Sequence, residues 1–127
     1  MIIIEGQSSL SHPAFSSSSF ILRGSNANAV VLQHAPGRKQ RCDFKQMPIP
    51  TPESEIELIE LFARTRVIGM TLNHENMTDT EVNAAIAHYE RELGIPVTDA
   101  LTHSPGDLVK MVNAAFPDIQ VDLPAVA

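Results

Sequence analysis

Val67-Ile68-Gly69-Met70-Thr71-Leu72-Asn73-His74-Glu75 is the stretch that decides the fold. Its first six residues are apolar or β-branched without alternation, the pattern of a strand covered on both faces, and its last three are polar. Thr78-Asp79-Thr80-Glu81 then spells a capping box, in which the Thr78 oxygen and the Glu81 carboxylate satisfy backbone N–H groups reciprocally. Behind it Val82, Ala85, Ile86, Tyr89 and Leu93 recur at helical spacing until Gly94 stops the helix. Pro96 to Thr98 reads as a further short strand. A buried strand, a helix of crossover length and another strand make a βαβ unit, which calls for parallel pairing.

The same grammar extends to both sides. Downstream, Ser104, Pro105 and Asp107 open a helix with Leu108, Val109, Val112 and Phe116 facing inward, and Pro117 ends it, leaving a peripheral acidic-apolar tail. Upstream, Thr51 caps a helix with Pro52 at its first position, and Ile56, Leu58, Ile59, Leu61 and Phe62 give it a broad apolar face. Ala29 to Leu32 is a second buried strand, and Ile2-Ile3-Ile4 reads as another, over residues 2–5. A serine-rich, weakly specified helix lies between them, from Ser11 to about Leu22. Residues 34–52, with Pro36, Gly37, Pro48, Pro50 and the cations Arg38, Lys39 and Arg41, read as one long irregular loop, mobile until an anion binds. The expectation is an α/β fold, three-layered αβα with a mainly parallel sheet of four strands, forming a single unit over residues 1–127.

Bulk properties narrow the function. A chain of 127 residues is long enough for one core and too short for two ordinary domains. A net charge of −6 argues against non-specific nucleic-acid binding, which needs clustered cations. No run is long and apolar enough for a membrane span, and Glu5 follows the opening isoleucines too soon for a signal peptide. Cys42, the single cysteine, cannot form an internal disulfide and fits a reducing, cytoplasmic setting.

In open α/β sheets, ligands collect beyond the carboxyl ends of the strands. Those ends here carry Glu5-Gly6-Gln7-Ser8-Ser9, Gln33-His34-Ala35-Pro36-Gly37-Arg38 and Asn73-His74-Glu75. Glu5, His34 and His74 are the candidate acid–base residues, with Glu5 also placed where an acidic side chain can bind Mg²⁺. Gly6, Ser8 and Ser9 offer amides and hydroxyls to an anionic cofactor group, without the GxxxxGK[ST] spacing of a phosphate loop. His12, Arg38, Asn73 and Glu75 are candidate substrate contacts, Arg38 because its planar fork fits a carboxylate. The histidines and Glu75 lack zincin spacing, so no protein-ligated metal is expected. His88, inside a helix, and His103, in a loop, read as incidental, and Cys42 has no identifiable base partner.

Glu5-Gly6-Gln7-Ser8-Ser9-Leu10-Ser11-His12-Pro13, His34-Ala35-Pro36-Gly37-Arg38 and Leu72-Asn73-His74-Glu75 together resemble a family long catalogued as a domain of unknown function. Some of its members are D-glutamate N-acetyltransferases. The likeness runs from Ile2 to about Val112. It implies the later half of a P-loop-like nucleotide-binding domain, and hence the C-terminal portion of a larger two-domain protein. The family's glycine-rich phosphate-binding segment would then lie upstream of Ile2, and Ile2-Ile3-Ile4-Glu5 would be the strand facing it. The implied activity is acetyl transfer from acetyl-CoA, as cosubstrate, to a small anionic acceptor. The implied partner is an upstream portion or a second copy of the chain. Two other readings stay open at this point: a nucleotide-dependent phosphoryl-transfer or ligase-like fragment, and a non-catalytic remnant.

Overall fold

Residues 67–72 do form a strand, the most deeply buried run among the described residues. In the computed structural model, which describes residues 1–119, the chain is an α/β fold with four helices and a mainly parallel sheet. The elements in order are α1 (Ser17–Ser25), β1 (Val30–His34), β2 (Gln40–Arg41), β3 (Phe44–Pro48), α2 (Pro52–Ala63), β4 (Val67–Leu72), α3 (Asp79–Leu93), β5 (Val97–Thr98) and α4 (Pro105–Ala115). They gather into two compact units, one of Met1–Val30 with Arg38–Val67, the other of Val31–Gly37 with Ile68 onward. Beyond Ile119 the acidic-apolar tail falls outside the described residues.

The second unit holds the sheet apart from the first residues of β1 and β4, in the order β1-β4-β5. β4 and β5 run parallel, Met70 opposite Val97 and Thr71 opposite Thr98. β1 joins the other side of β4, where the Asn73 N–H donates to the His34 carbonyl at 2.7 Å. Met70 and Leu72 are fully buried, and with Val97 they make a core against Leu32, Ala85, Ile86, Tyr89, Leu93 and Ile95. Fully buried side chains such as Met70 and Leu72 each contribute about 1.5–3 kcal/mol through the apolar surface they remove from water. The capping box forms as read: Glu81 N–H donates to the Thr78 hydroxyl oxygen, and Thr78 N–H to the Glu81 carboxylate at 2.8 Å. Those bonds from the Thr78 backbone and hydroxyl hold the Glu81 carboxyl below its ordinary value. Gly94, at φ 65°, ends α3.

α4 opens at Ser104 and Pro105 as expected, but its buried residue is Met111, with Leu108, Val109, Val112 and Phe116 only half-buried. The reason lies in β4. A Cβ at Gly69 would meet Met111 Sδ at 2.6 Å and the Pro96 carbonyl oxygen at 3.2 Å. The missing side chain lets the methionine press directly onto the strand.

The first unit departs more from expectation. Residues 2–5 belong to no sheet, and Ile2 and Ile3 are 89% and 83% exposed. A strand exists through its pairing with a neighbour; β-branched composition favours one without supplying the partner. The expected four-strand sheet is therefore three strands plus a separate hairpin. The helix expected from Ser11 begins at Ser17 instead. Pro13 disfavours helical backbone at His12, and the serines before it are taken by side-chain hydrogen bonds.

The expected long loop contains that hairpin, β2 paired antiparallel with β3, Arg41 opposite Phe44. Asp43, at φ 62°, makes its turn. Thr51 caps α2 through Ser54 N–H, and Arg64 closes it by donating to the Glu60 carbonyl. Ile59 is buried and Ile56, Leu58 and Phe62 half-buried, whereas Leu61 is exposed. Arg23 of α1 reaches α2, donating to the Phe62 carbonyl at 2.8 Å with its guanidinium over the ring.

Candidate functional site

Two strand tips meet in the second unit. The bond from Asn73 N–H to the His34 carbonyl extends the β1–β4 ladder to its last rung. Beyond it the segments approach so closely that a Cβ at Gly37 would fall on the backbone carbonyl of Glu75. Asn73 then turns the chain, its side-chain oxygen accepting from Glu75 N–H at 3.0 Å, and Met77 N–H closes onto the His74 carbonyl at 2.9 Å. His34, Asn73, His74 and Glu75 are thus brought to one end of the second unit's sheet, whereas Glu5, expected on the same edge, belongs to the first unit. His34 is buried, its ring edge-on to Tyr89 at 5.5 Å, while His74 is half-buried.

The most specific feature is one that the tip residues alone did not reveal. His74 Nδ1 lies 2.6 Å from Asp99 Oδ2, in the turn that follows β5. Asp99 is 1% exposed, and its carboxylate also accepts from Leu101 N–H at 2.9 Å and the Thr102 hydroxyl at 2.7 Å. Burial pushes the Asp99 carboxyl up, but the bonds from Thr102, Leu101 and His74 outweigh it and hold the group below its ordinary value. An ionised carboxylate only accepts, so the proton between the two groups belongs to His74 Nδ1. In the neutral ring the lone pair is then on Nε2, on a side chain 35% exposed. A buried anion that fixes the tautomer of a partly open imidazole is the arrangement that general bases use. Asp99 follows a short buried strand, so the rule that singled out the other tips applied to it as well.

In the first unit, Glu5, Gly6 and Ser8 are exposed, and Ser8 has a left-handed backbone at φ 67°. The Ser8 carbonyl accepts from the Ser18 hydroxyl at 3.0 Å. Ser9 is held through its side chain, whose oxygen accepts from Arg41 Nη1 at 3.0 Å. Arg41 Nη2 donates to the Ser11 hydroxyl at 2.8 Å, and that hydroxyl donates to the buried Glu55 carboxylate. So within the basic cluster it is Arg41 that ties the serine loop to α2, while Arg38 is exposed. His12 is buried, its ring tilted against Phe15 with the centroids 4.6 Å apart. Its Nδ1 accepts from Ala14 N–H at 3.2 Å and its Nε2 faces the Cys42 carbonyl at 3.1 Å, so both ring nitrogens serve the local fold. Cys42 itself is an exposed free thiol. Beside this cluster a cavity of about 540 Å³ is lined by Ser11, Arg41, Glu55, Met47, Leu58 and Leu61 among others.

Among the described residues no group of three or more His, Cys, Asp or Glu side chains is placed to hold a metal ion. No helix among them is long and apolar enough to cross a membrane.

The chain as a whole is similar to known proteins. The chain is 32% identical over 113 residues to a D-glutamate N-acetyltransferase from a Pseudoalteromonas species, covering 84% of this chain and 34% of that protein. It is 26% identical over 118 residues to a D-glutamate N-acetyltransferase from Tritonibacter scottomollicae, covering 88% and 35%. The crystal structure of a DUF1611 family protein from Anabaena variabilis superposes with a TM-score of 0.80 at 31% identity, covering 87% of this chain and 34% of that one. The chain therefore spans about a third of the length of the curated relatives it matches. The profile of the DUF1611_C P-loop domain, a domain of unknown function, matches residues 1–109, and the chain belongs to that family.

Proposed function

We propose that this chain is the C-terminal part of an acyltransferase that moves the acetyl group of acetyl-CoA to the amine of D-glutamate, with His74 as general base. The observation that carries the reading is the hydrogen bond of 2.6 Å from His74 Nδ1 to the buried Asp99 carboxylate, at the carboxyl end of the sheet. The resemblance to two D-glutamate N-acetyltransferases supplies the reaction class.

Acetyl transfer to an amine needs a group that removes a proton from the ammonium, because only the free amine has a nucleophilic lone pair. His74 Nε2 takes that proton. The amine nitrogen then bonds to the thioester carbonyl carbon, the carbon–sulfur bond breaks, and the sulfur leaves as thiolate. The imidazolium returns its proton to that sulfur, while the second ammonium proton is lost to solvent as the amide forms. Asp99 stays ionised and stabilises the imidazolium between the two transfers. His34, Asn73 and Glu75 line the same tip and are the proposed contacts to the acceptor.

Because the chain spans a third of its relatives, we also infer that it needs the polypeptide that precedes the matched region in those proteins. Positioning a thioester for attack draws on binding energy from remote groups, and a misplaced reactant loses orders of magnitude in rate. The family's description as a P-loop domain favours one alternative, a phosphoryl-transfer enzyme that uses a nucleotide. The test is thiol release from acetyl-CoA with D-glutamate, by the chain extended with its own upstream coding region, beside the His74→Gln variant. The reading expects release dependent on D-glutamate that falls by about 10²–10⁴-fold in the variant. Nucleotide hydrolysis in place of thiol release would favour the alternative.

A further inference from the structure

We propose that Thr102 is a positioning residue for His74, acting through Asp99. The inference rests on the general-base reading only for its kinetic consequence, since the geometry concerns the ring alone.

A carboxylate buried to 1% exposure and held by one partner can still rotate about its side-chain bonds. Asp99 is held from two further directions. Leu101 N–H donates to Oδ1 at 2.9 Å and the Thr102 hydroxyl to Oδ2 at 2.7 Å, the oxygen that meets His74 Nδ1. The donors come from within three residues of Asp99, and His103 N–H closes the turn onto the Asp99 carbonyl at 3.0 Å. The turn reaches the ring through the hydrogen bond of the carboxylate. Its effect on His74 is therefore to fix where one oxygen sits, and so which ring nitrogen keeps its hydrogen. The two neutral tautomers of a free imidazole are close in energy, and a fixed acceptor is what selects between them. Thr102 is exposed and adds no core packing, so removing its hydroxyl leaves the fold intact.

Nitrogen-15 spectra of the histidine rings in the intact 127-residue chain read the tautomer directly. The chain itself and Thr102→Ser should show His74 as the Nδ1–H tautomer. Thr102→Val should lower the Nδ1–H fraction of His74, because the Asp99 oxygen that selects this tautomer is no longer held in place. Asp99→Asn should invert the tautomer ratio. An unchanged His74 signal in Thr102→Val, or a Thr102→Ser variant that behaves like valine, would overturn the positioning role. In the protein extended upstream, Thr102→Val should lower kcat with KM unchanged and serine should restore it. A tautomer that moves in a protein with no acetyl transfer supports the positioning role and sinks the proposed reaction.

Discussion

Replacing Gly37 by alanine tests how the two strand tips are built. The new Cβ would land on the Glu75 carbonyl oxygen, with its carbonyl carbon at 3.5 Å and Met77 Cγ at 3.6 Å. The methionine can swing away, but the carbonyl is backbone and lies between Asn73 and Met77, whose own bonds fix the turn. To restore an ordinary contact, residues 34–37 and 73–77 must part by roughly 1 Å. Overpacking of this kind costs about 1–3 kcal/mol. At on the order of 4 °C per kcal/mol for a chain of this size, the melting temperature should fall by about 4–12 °C. Thermal unfolding followed by circular dichroism reads it, with Gly24→Ala as the control. A Cβ at Gly24 meets nothing within 4 Å, and alanine favours the helix there. The displaced backbone carries His74, so its ring signals should shift in Gly37→Ala as well. A Gly37→Ala chain as stable as the parent, with His74 unmoved, would refute the close approach.

Asp99 is depressed below its usual value of 3.8, so the unfolded chain binds the extra proton. Its stabilisation is present above that value and lost as pH falls through the lower folded value, so Asp99→Asn should be less stable at neutral pH and show a flatter dependence of stability as pH falls below 3.8 in urea titrations. Thr78→Ala removes the cap of α3 and should cost about 1 kcal/mol in the same assay. Gly69→Ala sets a Cβ 2.6 Å from Met111 Sδ and 3.2 Å from the Pro96 carbonyl oxygen, and should cost about 1–3 kcal/mol by urea unfolding.

What the sequence showed depended on whether the signal was local. Thr51-Pro52, Thr78 with Glu81, Gly94 and Ser104-Pro105 mark helix ends through bonds within a few residues, and all four form. Val67–Leu72 was legible because burial on both faces leaves a continuous apolar run. Ile2–Ile4 carries a similar run yet joins no sheet, since pairing is a property of two segments and composition reports on one. The β2–β3 hairpin was hidden because Gln40, Arg41, Lys45 and Gln46 are polar and its turn is Cys42-Asp43, an unusual pair. For the site, His74 was legible from its place at a strand tip. Asp99 met the same rule at the end of β5 and was passed over, and its partnership with His74, twenty-five positions away, was not legible at all.

The most direct measurement is the mass of the product formed from carbonyl-labelled acetyl-CoA and D-glutamate by the chain extended with its upstream coding region. The account predicts labelled N-acetyl-D-glutamate, formed about 10²–10⁴-fold more slowly by His74→Gln and not by the 127-residue chain alone. Product formed at the parent rate by His74→Gln, or no labelled product from the extended protein, would contradict it.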